Sequence, residues 1–317
     1  MVPKLYYAKV NVNSNIFQVY SGKTKIKDIM NKLYVQINDK EEYQKSDIRT
    51  IEDEEGNLKR IELKETFNFS DIDKFSDGVK NIITGKLVRR FPIHAEEFDP
   101  KTRKSEKVMH RNNSASTFFY FDLDNEIITF CEKQKLGYAQ FLDAFQNLLD
   151  KFTDVGFEIF LIKDPFSIRE RVEKAYKINR IKAIVIPPNV NEESLKNLYD
   201  KDIEKMGKAN ITKKTSIFEV NSKSQNGINP KATMVRTVLN LNEAYKTFSD
   251  GYGKLEVDGS NRDGSKFHFD SDEHSPYQTI INEEEKKSKI GFIEASKKGI
   301  VILRTKRTIE RYVGKSE

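Results

Sequence analysis

The stretch STFFYFDLDNEIITF, residues 116–130, decides the fold class. It places two runs of aromatic and β-branched residues on either side of LDNE. Such residues favour strands, and Asp and Asn favour a tight turn between them. The stretch therefore predicts a β-hairpin whose apolar side chains join a core.

Downstream of this hairpin, segments with helical and strand patterns alternate. Apolar strands separated by helices of crossover length are typical of a buried sheet with helices packed on it. Two consecutive prolines after IVI end one of these strands, because proline cannot continue a ladder. We therefore predict an α/β core over residues 113–222. Its predicted helices are residues 138–152, 167–178 and 192–206, and its predicted strands are residues 157–163, 181–188 and 215–220.

Upstream, residues 1–112 are predicted to form a β-rich N-terminal domain. KLYYAKVNV (4–12) and IFQVYSG (16–22) alternate apolar and polar residues and predict a hairpin, and TKIKDIMNKLYVQI (24–37) has helical spacing. Residues 38–65 hold 10 Asp or Glu against 6 Lys or Arg. This composition predicts an acidic surface hairpin, with strands at IRTI and RIEL.

Between residues 80 and 111 the charge balance reverses, with nine Lys or Arg against four acids. The Pro, Ser and Asn content of this region predicts an exposed, mobile basic loop. In the last segment, residues 223–317, Asn229 and Pro230 predict the start of a helix over 230–248. KLEVDG and SKFHFDS predict a second hairpin around SNRDG, followed by a basic tail.

GIVILRT, near the C-terminus, suits either a strand or the start of a helix. If residues 297–315 are helical, Lys297, Arg304, Arg307, Arg311 and Lys315 share one face, and an apolar face lies opposite. The residues of that apolar face are Ile302, Ile309, Tyr312 and Val313. Taken together, these patterns predict a mixed α/β or α+β fold with a central sheet, flanking helices, and an N-terminal hairpin and helix.

Composition narrows the class of protein. One cysteine, Cys131, excludes a disulfide within the chain, and no segment approaches the roughly 18 apolar residues of a membrane span. We therefore predict a cytoplasmic protein without a membrane span. The formal charge of +6 favours polyanionic partners, nucleic acid first and anionic lipid second.

KFHFDSDEHS, residues 266–275, places His268, Asp270, Asp272 and His274 at alternate positions. On a strand these side chains share a face, and histidine with carboxylate suits several divalent metals. The four would span about 20 Å, too far for one ion. His268 and Asp270 remain metal candidates, but the pattern favours the solvent face of a strand, and no cofactor is predicted.

A second candidate site follows the acidic hairpin, where an Asp precedes the turn and Glu62 and Lys64 follow it. This is a loose form of the carboxylate and lysine order found in metal-dependent nucleases. The sequence has no Gly-rich phosphate loop and no His-Glu-x-x-His or Gly-x-Ser-x-Gly motif. We expect Cys131 to be a small core residue and not a nucleophile.

Two basic regions are candidates for nucleic-acid binding, with solvated surface as the competing interpretation. Lys and Arg on a loop and along a helix face neutralise phosphates whatever the base sequence. The loop candidates are Lys86, Arg89, Arg90, Lys101, Arg103, Lys104, Lys107 and Arg111. The helix candidates are Lys297, Arg304, Arg307 and Arg311.

The order of these elements over residues 115–270, including FEIFLIKDPFSIRERV and DGYGKLEVDGSNRDGSKFHFDS, resembles a bacterial phage-defence family of RexA-type and KwaB-type DNA-binding proteins. The resemblance implies a non-enzymatic protein that binds duplex DNA in abortive-infection defence, together with a second defence protein. No catalytic residue comes with it. Two alternatives stay open, namely a metal-dependent nuclease and a protein-interaction module that uses the acidic hairpin. We also expect a homo-oligomer formed through the hairpin edge at 117–130.

Overall fold

A computed structural model describes residues 2–52, 58–76, 80–164, 172, 174–189, 200–221, 223–239 and 252–313. The fold is mixed α+β with more strand than helix, and it is built on two antiparallel sheets. The strands are β1 (Lys4–Val12), β2 (Glu42–Glu52), β3 (Leu58–Ser76), β4 (Asn81–Asp99), β5 (Lys104–Asp122), β6 (Ile127–Cys131), β7 (Phe157–Leu161), β8 (Lys177–Ile186), β9 (Lys214–Glu219), β10 (Tyr252–Ser260), β11 (Lys266–Asp270) and β12 (Gln278–Ile280). The helices are α1 (Ile16–Tyr20), α2 (Ile26–Gln36), α3 (Tyr138–Phe152), α4 (Asp200–Lys208), α5 (233–239), α6 (Ser271–His274), α7 (Glu283–Lys287) and α8 (Lys289–Val313).

The first sheet has eight strands in the order β12-β1-β6-β5-β4-β3-β2, with β7 also paired to β1. It draws strands from all three predicted segments, and the predicted boundary at 112/113 lies inside β5. The hairpin predicted from residues 116–130 is confirmed as β5 and β6. Both strands lie in the interior of the sheet, so the dimer edge expected at 117–130 is not an edge.

The predicted N-terminal hairpin is wrong, because Ile16–Tyr20 forms the short helix α1. Pairing on both edges of β1 explains the difference. β6 occupies one edge, and β7 and β12 share the other. No edge of β1 is left for residues 16–22, while the predicted helix that follows is confirmed as α2.

The first sheet is covered by apolar side chains on both faces. On one face α2 and α3 pack onto a cluster that includes Phe69, Phe119 and Phe145, all fully buried. On the other face α8 packs Phe292, Ile300 and Leu303 against strand residues such as Tyr7 and Tyr120. Burial of both faces fits the uninterrupted apolar runs that the sequence shows in β1, β5 and β6.

The predicted mobile basic loop is also wrong. Its residues lie in β4 and β5, which pair from Ile82↔Asp122 to Asp99↔Lys104 and turn at 100–103. The polar composition misled the prediction because a two-stranded ribbon in solvent needs few apolar side chains. Pro92 and Asn112 fall at an irregularity in register between Phe91 and Ile93, where the ladder tolerates them, and Pro100 lies in the turn.

The second sheet has the order β11-β10-β8-β9. The strands predicted at 157–163, 181–188 and 215–220 are confirmed, but they do not form one central sheet. β7 belongs to the first sheet, and β8 and β9 belong to the second. One face of the second sheet is apolar, with Ile181, Val257 and Phe269 buried.

The C-terminal segment contains the predicted hairpin, β10 and β11, and a long helix, α8. The helix predicted over 230–248 begins at 233 and is seen as far as 239, so the start predicted at Asn229 and Pro230 is wrong. Residues 240–248 lie outside the described residues. The apolar face predicted for α8 is corrected. Ile300 and Leu303 face the sheet, whereas Ile302 is exposed, so the cations flank the buried face and do not lie opposite to it.

Candidate nucleic-acid interface

The structure separates the predicted phosphate-binding cations into buried and exposed groups. Arg89 is only 8% exposed. Its guanidinium donates to both carboxylate oxygens of Glu65, at 3.1 and 2.6 Å, and to the carbonyl of Lys135, and it lies 4.4 Å from the centre of the Phe91 ring. Arg89 therefore stabilises the sheet and is not available to a phosphate.

Lys86 and Arg90 are also neutralised on the sheet. The Lys86 ammonium lies 2.7 Å from Asp71, whose pKa it holds below its ordinary value, and it sits over the Phe118 ring. Arg90 pairs with Glu42 on β2. The sequence could not distinguish these residues from free cations, because each partner lies on another strand.

Beyond Arg90 the β4–β5 hairpin leaves its neighbour. The ladder between β3 and β4 ends at Thr66↔Arg90, while β4 and β5 stay paired as far as Asp99↔Lys104. We call residues 91–113 the ribbon arm. At about 3.3 Å per residue, its nine residues on β4 extend roughly 30 Å.

The turn at the end of the ribbon arm is held by Asp99. Its carboxylate accepts hydrogen bonds from the Lys101 amide at 2.8 Å and the Thr102 hydroxyl at 2.9 Å, and its carbonyl accepts from the Arg103 amide. These bonds lower the pKa of Asp99. Arg103 adopts a left-handed backbone conformation with φ of 57°. Asp99 thus serves the turn, although it remains a negative charge beside it.

Three cations are exposed at this tip, namely Lys101, Arg103 and Lys104. Among the residues that the structure describes, no carboxylate lies within ion-pairing distance of any of them. The aromatic Phe98 beside them is 61% exposed. The tip therefore combines unpaired positive charge with an exposed ring, on a ribbon that projects from the sheet.

The rest of the ribbon arm is more balanced in charge. Glu97 lies 2.8 Å from His110 across the ladder, and Glu96 is opposite Lys107 in the register. Lys107 and Arg111 belong to β5, but their side chains lie outside the described part of the chain. Of the eight predicted loop cations, the structure brings three together at the tip.

The second predicted group lies on α8. Lys297 is exposed, with its ammonium 5.4 Å from the centre of the Phe75 ring. Arg304 is exposed and Arg307 is half-buried, and both have interaction partners. Arg311 is in the helix, but its side chain lies outside the described residues. The cations of α8 therefore form a group separate from the three cations at the tip of the ribbon arm.

The metal candidates instead belong to ion pairs on the polar face of the second sheet. His268 lies 2.6 Å from Asp258, its partner across the ladder. Asp270 lies 2.8 Å from Lys254 and caps α6 by accepting from the Asp272 amide. The expected run of four residues on one strand face is wrong, because β11 ends at Asp270 and α6 begins at Ser271.

We call this set of cross-strand ion pairs the ionic face. Arg180 contacts both Glu219 and Asp258, and Lys182 contacts Glu256. Beside the ionic face, the buried Lys163, which follows β7, pairs with Asp272 on α6. Burial lowers the pKa of Lys163, and Asp272 opposes that shift. Opposite charges alternate across the strands, which explains the carboxylates without a metal.

The nuclease candidates also pair with each other. Lys64 lies 3.7 Å from Glu62 two positions away on β3, and both are exposed. The Asp before the turn, Asp53, lies outside the described residues. Within the part of the chain that is described, no group of three or more His, Cys, Asp or Glu side chains could hold a metal ion. Cys131 is buried, and burial raises the pKa of its thiol to about 12.

Sequence reasoning missed Phe98 and the ribbon shape of the arm. A usable signal was present, because FDPKTRK places Asp and Pro before a short basic turn, between segments that alternate apolar and polar residues. Read as a hairpin turn rather than as loop composition, this pattern would have placed the cations at a tip.

Comparison with known families gives one match. The family described as Domain of unknown function (DUF4747) matches residues 34–297, which is more than half of the 317 residues. The chain belongs to this family. The DUF4747 match begins within α2 and ends within α8, so it includes the ribbon arm and the ionic face but not β1.

No curated protein matches the chain. None of the helices described is both long enough and apolar enough to span a membrane.

Proposed function

We propose that this protein binds nucleic acid, with duplex DNA as the preferred ligand, through the tip of the ribbon arm. The observation that carries the proposal is a set of three exposed cations, Lys101, Arg103 and Lys104, at the end of a projecting two-stranded ribbon. None of the carboxylates described lies within ion-pairing distance of them. The binding is electrostatic and needs no catalytic group.

The dimensions of the arm support this ligand. The major groove of B-DNA is about 12 Å wide and admits a two-stranded β-ribbon. Cations at the tip would contact phosphates and release counterions, which fixes position but not sequence. An exposed ring such as Phe98 adds a stacking or wedge contact of the kind that nucleic-acid-binding proteins use.

The proposed role in the cell is anti-phage defence of the abortive-infection type, together with a second defence protein. The element order that resembles phage-defence DNA-binding proteins supports this role. A plaque assay tests it. Cells that carry the gene and its neighbours should reduce plaque formation, and replacing Lys101, Arg103 and Lys104 with Ala should remove that reduction. Equal protection by the wild-type gene and by the gene with the three replacements would exclude a defence role for the tip.

Binding itself is tested by fluorescence anisotropy of a labelled DNA duplex over a series of salt concentrations. Replacement of Lys101, Arg103 and Lys104 with Ala should weaken binding and reduce the slope of log K against log salt by about 2.7, or roughly 0.9 for each lost phosphate contact. The matched control replaces Lys23, Lys25 and Lys27, three exposed lysines near α2. This control should change the slope little, although it removes the same charge.

Equal losses in the two triple variants would mean that only net charge matters and would overturn the tip as the site. The same experiment with Mg²⁺ separates the nuclease alternative, because cutting would shorten the labelled strand and would depend on Glu62. No binding by the wild type at low salt would exclude the nucleic-acid ligand and favour the protein-interaction alternative.

A further inference from the structure

The helix α8 has a second apolar surface, which is exposed in the part of the structure that is described. Its buried side, formed by Phe292, Ile300 and Leu303, packs on the first sheet. Ile290, Val301 and Ile302 are nevertheless 71%, 60% and 47% exposed. Ile290 and Val301 are eleven positions apart, close to three full turns, and so lie on the same side of the helix. Ile302 follows Val301 and points about 100° further round the helix, which widens this surface. We call these three residues the outer stripe.

Cations adjoin Val301 and Ile302 in the outer stripe, whereas Ile290 adjoins the exposed Glu294. Residues three and four positions apart are neighbours on a helix surface. Val301 therefore adjoins Lys297 and Lys298 in the preceding turn and Arg304 in the following turn, and all three are exposed. Ile302 adjoins Lys298 and Lys306 in the same way, and the Lys306 ammonium lies 3.3 Å from Asp164. Over residues 290–313 the sequence has six Lys or Arg and two acids, Glu294 and Glu310.

We propose that the outer stripe of α8 docks on an anionic phospholipid surface. A helix that presents exposed aliphatic residues among lysines and arginines, and that is too polar to span a bilayer, matches the chemistry of a helix lying in the membrane interface. The aliphatic side chains enter the boundary between headgroups and acyl chains. The long basic side chains extend to the lipid phosphates.

Charge and shape select this occupant over two others. A second copy of the chain would bring the same cations to the contact, and like charges in apposition oppose association. A nucleic acid would attract the cations, but the aliphatic side chains between them gain little from a phosphate backbone. An anionic lipid surface uses both kinds of side chain. The inference is independent of the ribbon arm, because the arm is formed by β4 and β5 and the outer stripe by α8.

The test is sedimentation of the full chain with phosphatidylcholine vesicles that contain about one-third phosphatidylglycerol, and with pure phosphatidylcholine vesicles. The wild type should bind only the anionic vesicles. Val301→Ser with Ile302→Ser should abolish that binding. The matched control is Val35→Ser with Ile217→Ser, since these residues are also exposed but lie on α2 and β9. This control should bind like the wild type.

The charge contribution is measured separately. Lys297→Gln with Lys298→Gln should lower the partition coefficient roughly 25-fold, about fivefold for each charge. Lys23→Gln with Lys25→Gln should have little effect. Far-ultraviolet circular dichroism and the thermal midpoint should be unchanged in all four variants, because every substituted side chain is exposed.

Three results would overturn the proposal. The first is no sedimentation of the wild type with anionic vesicles at low salt. The second is equal binding by the Val301 and Ile302 variant and its Val35 and Ile217 control. The third is a change of the variant in molar mass or in DNA affinity without a change in vesicle binding, which would assign the stripe to a second copy or to nucleic acid.

Discussion

The two sheets of this protein differ in the side chains that cover their faces. The first sheet buries apolar side chains on both faces, against α2 and α3 on one side and α8 on the other. The second sheet buries one apolar face and carries the ionic face on the other. Apolar burial depends mainly on amount and pattern, whereas ion pairing depends on which residues the register brings together. The first sheet should therefore respond to lost volume and the second to lost charge.

The largest effect should come from the aromatic core of the first sheet. Phe145 is fully buried, with ring centres 4.8 Å from Phe69 and 5.0 Å from Phe119. Phe145→Ala should lower the free energy of unfolding by about 3–5 kcal/mol, because it leaves a cavity. Phe98→Ala is the control, and it should change stability by less than about 0.5 kcal/mol. Denaturant titration measures both free energies of unfolding. Similar losses in the two variants would refute the distinction between a buried core ring and an exposed ring.

The next effect should come from the buried ion pair beside the second sheet, between Lys163, which follows β7, and Asp272 on α6. Asp272→Ala leaves Lys163 buried without its carboxylate and should cost about 3 kcal/mol, the range expected for breaking a buried pair. Adding Lys163→Met should recover part of this loss, because no buried charge then remains. Asp154→Ala, which removes a fully exposed partner of Lys32, is the control. Loss of stability in the double variant beyond that of Asp272→Ala would contradict the assignment.

A smaller effect is expected where α8 meets the first sheet. A Cβ at Gly299 would lie 1.7 Å from the hydroxyl oxygen of Tyr7. Gly299→Ala should therefore cost about 1–3 kcal/mol, as overpacking does. Tyr7→Phe removes the clashing oxygen and should reduce the additional cost of Gly299→Ala in a double-mutant cycle. Purely additive losses would show that the clash is not the cause.

The smallest effect should be a pH dependence from the ionic face. The hydrogen bond with Asp258 raises the pKa of His268, and Asp270 and Glu273 add to the shift. Because the folded pKa exceeds the unfolded value of about 6.5, this stability is present below that pH and is lost as pH rises through the folded pKa. The half-exposed ring limits the effect to under about 1 kcal/mol.

His268→Gln isolates this contribution, since the other titrating groups remain. When the pH is raised from below about 6.5 to above 8, the denaturation midpoint of the variant should decrease by less than that of the wild type. Arg180, which contacts Asp258, stays charged throughout that range, because its hydrogen bonds with Asp258 and Glu219 raise its pKa. Identical pH profiles for the two proteins would exclude His268 as the group responsible.

The sequence specified much of the local structure but little of the site. Aromatic and β-branched runs correctly predicted β5, β6, β7 and β8, and helical spacing predicted α2 and α3, because these signals are local. Lys and Arg counts could not separate Arg89 from Arg103. Arg89 pairs with Glu65 on the neighbouring strand, whereas Arg103 lies at an exposed turn where no carboxylate of the described residues is within ion-pairing distance.

By itself the sequence determined a mixed α+β chain with an aromatic core, one cysteine and an excess of cations. Only the tertiary structure decided that the basic region is a projecting ribbon and that the histidine and aspartate run is engaged in ion pairs, His268 with Asp258 and Asp270 with Lys254. It also decided that α8 turns Ile300 and Leu303 inward and Val301 outward. The physical reason is the same in each case. Periodicity and composition act within a segment, but strand register and helix rotation are set by contacts between residues far apart in the chain.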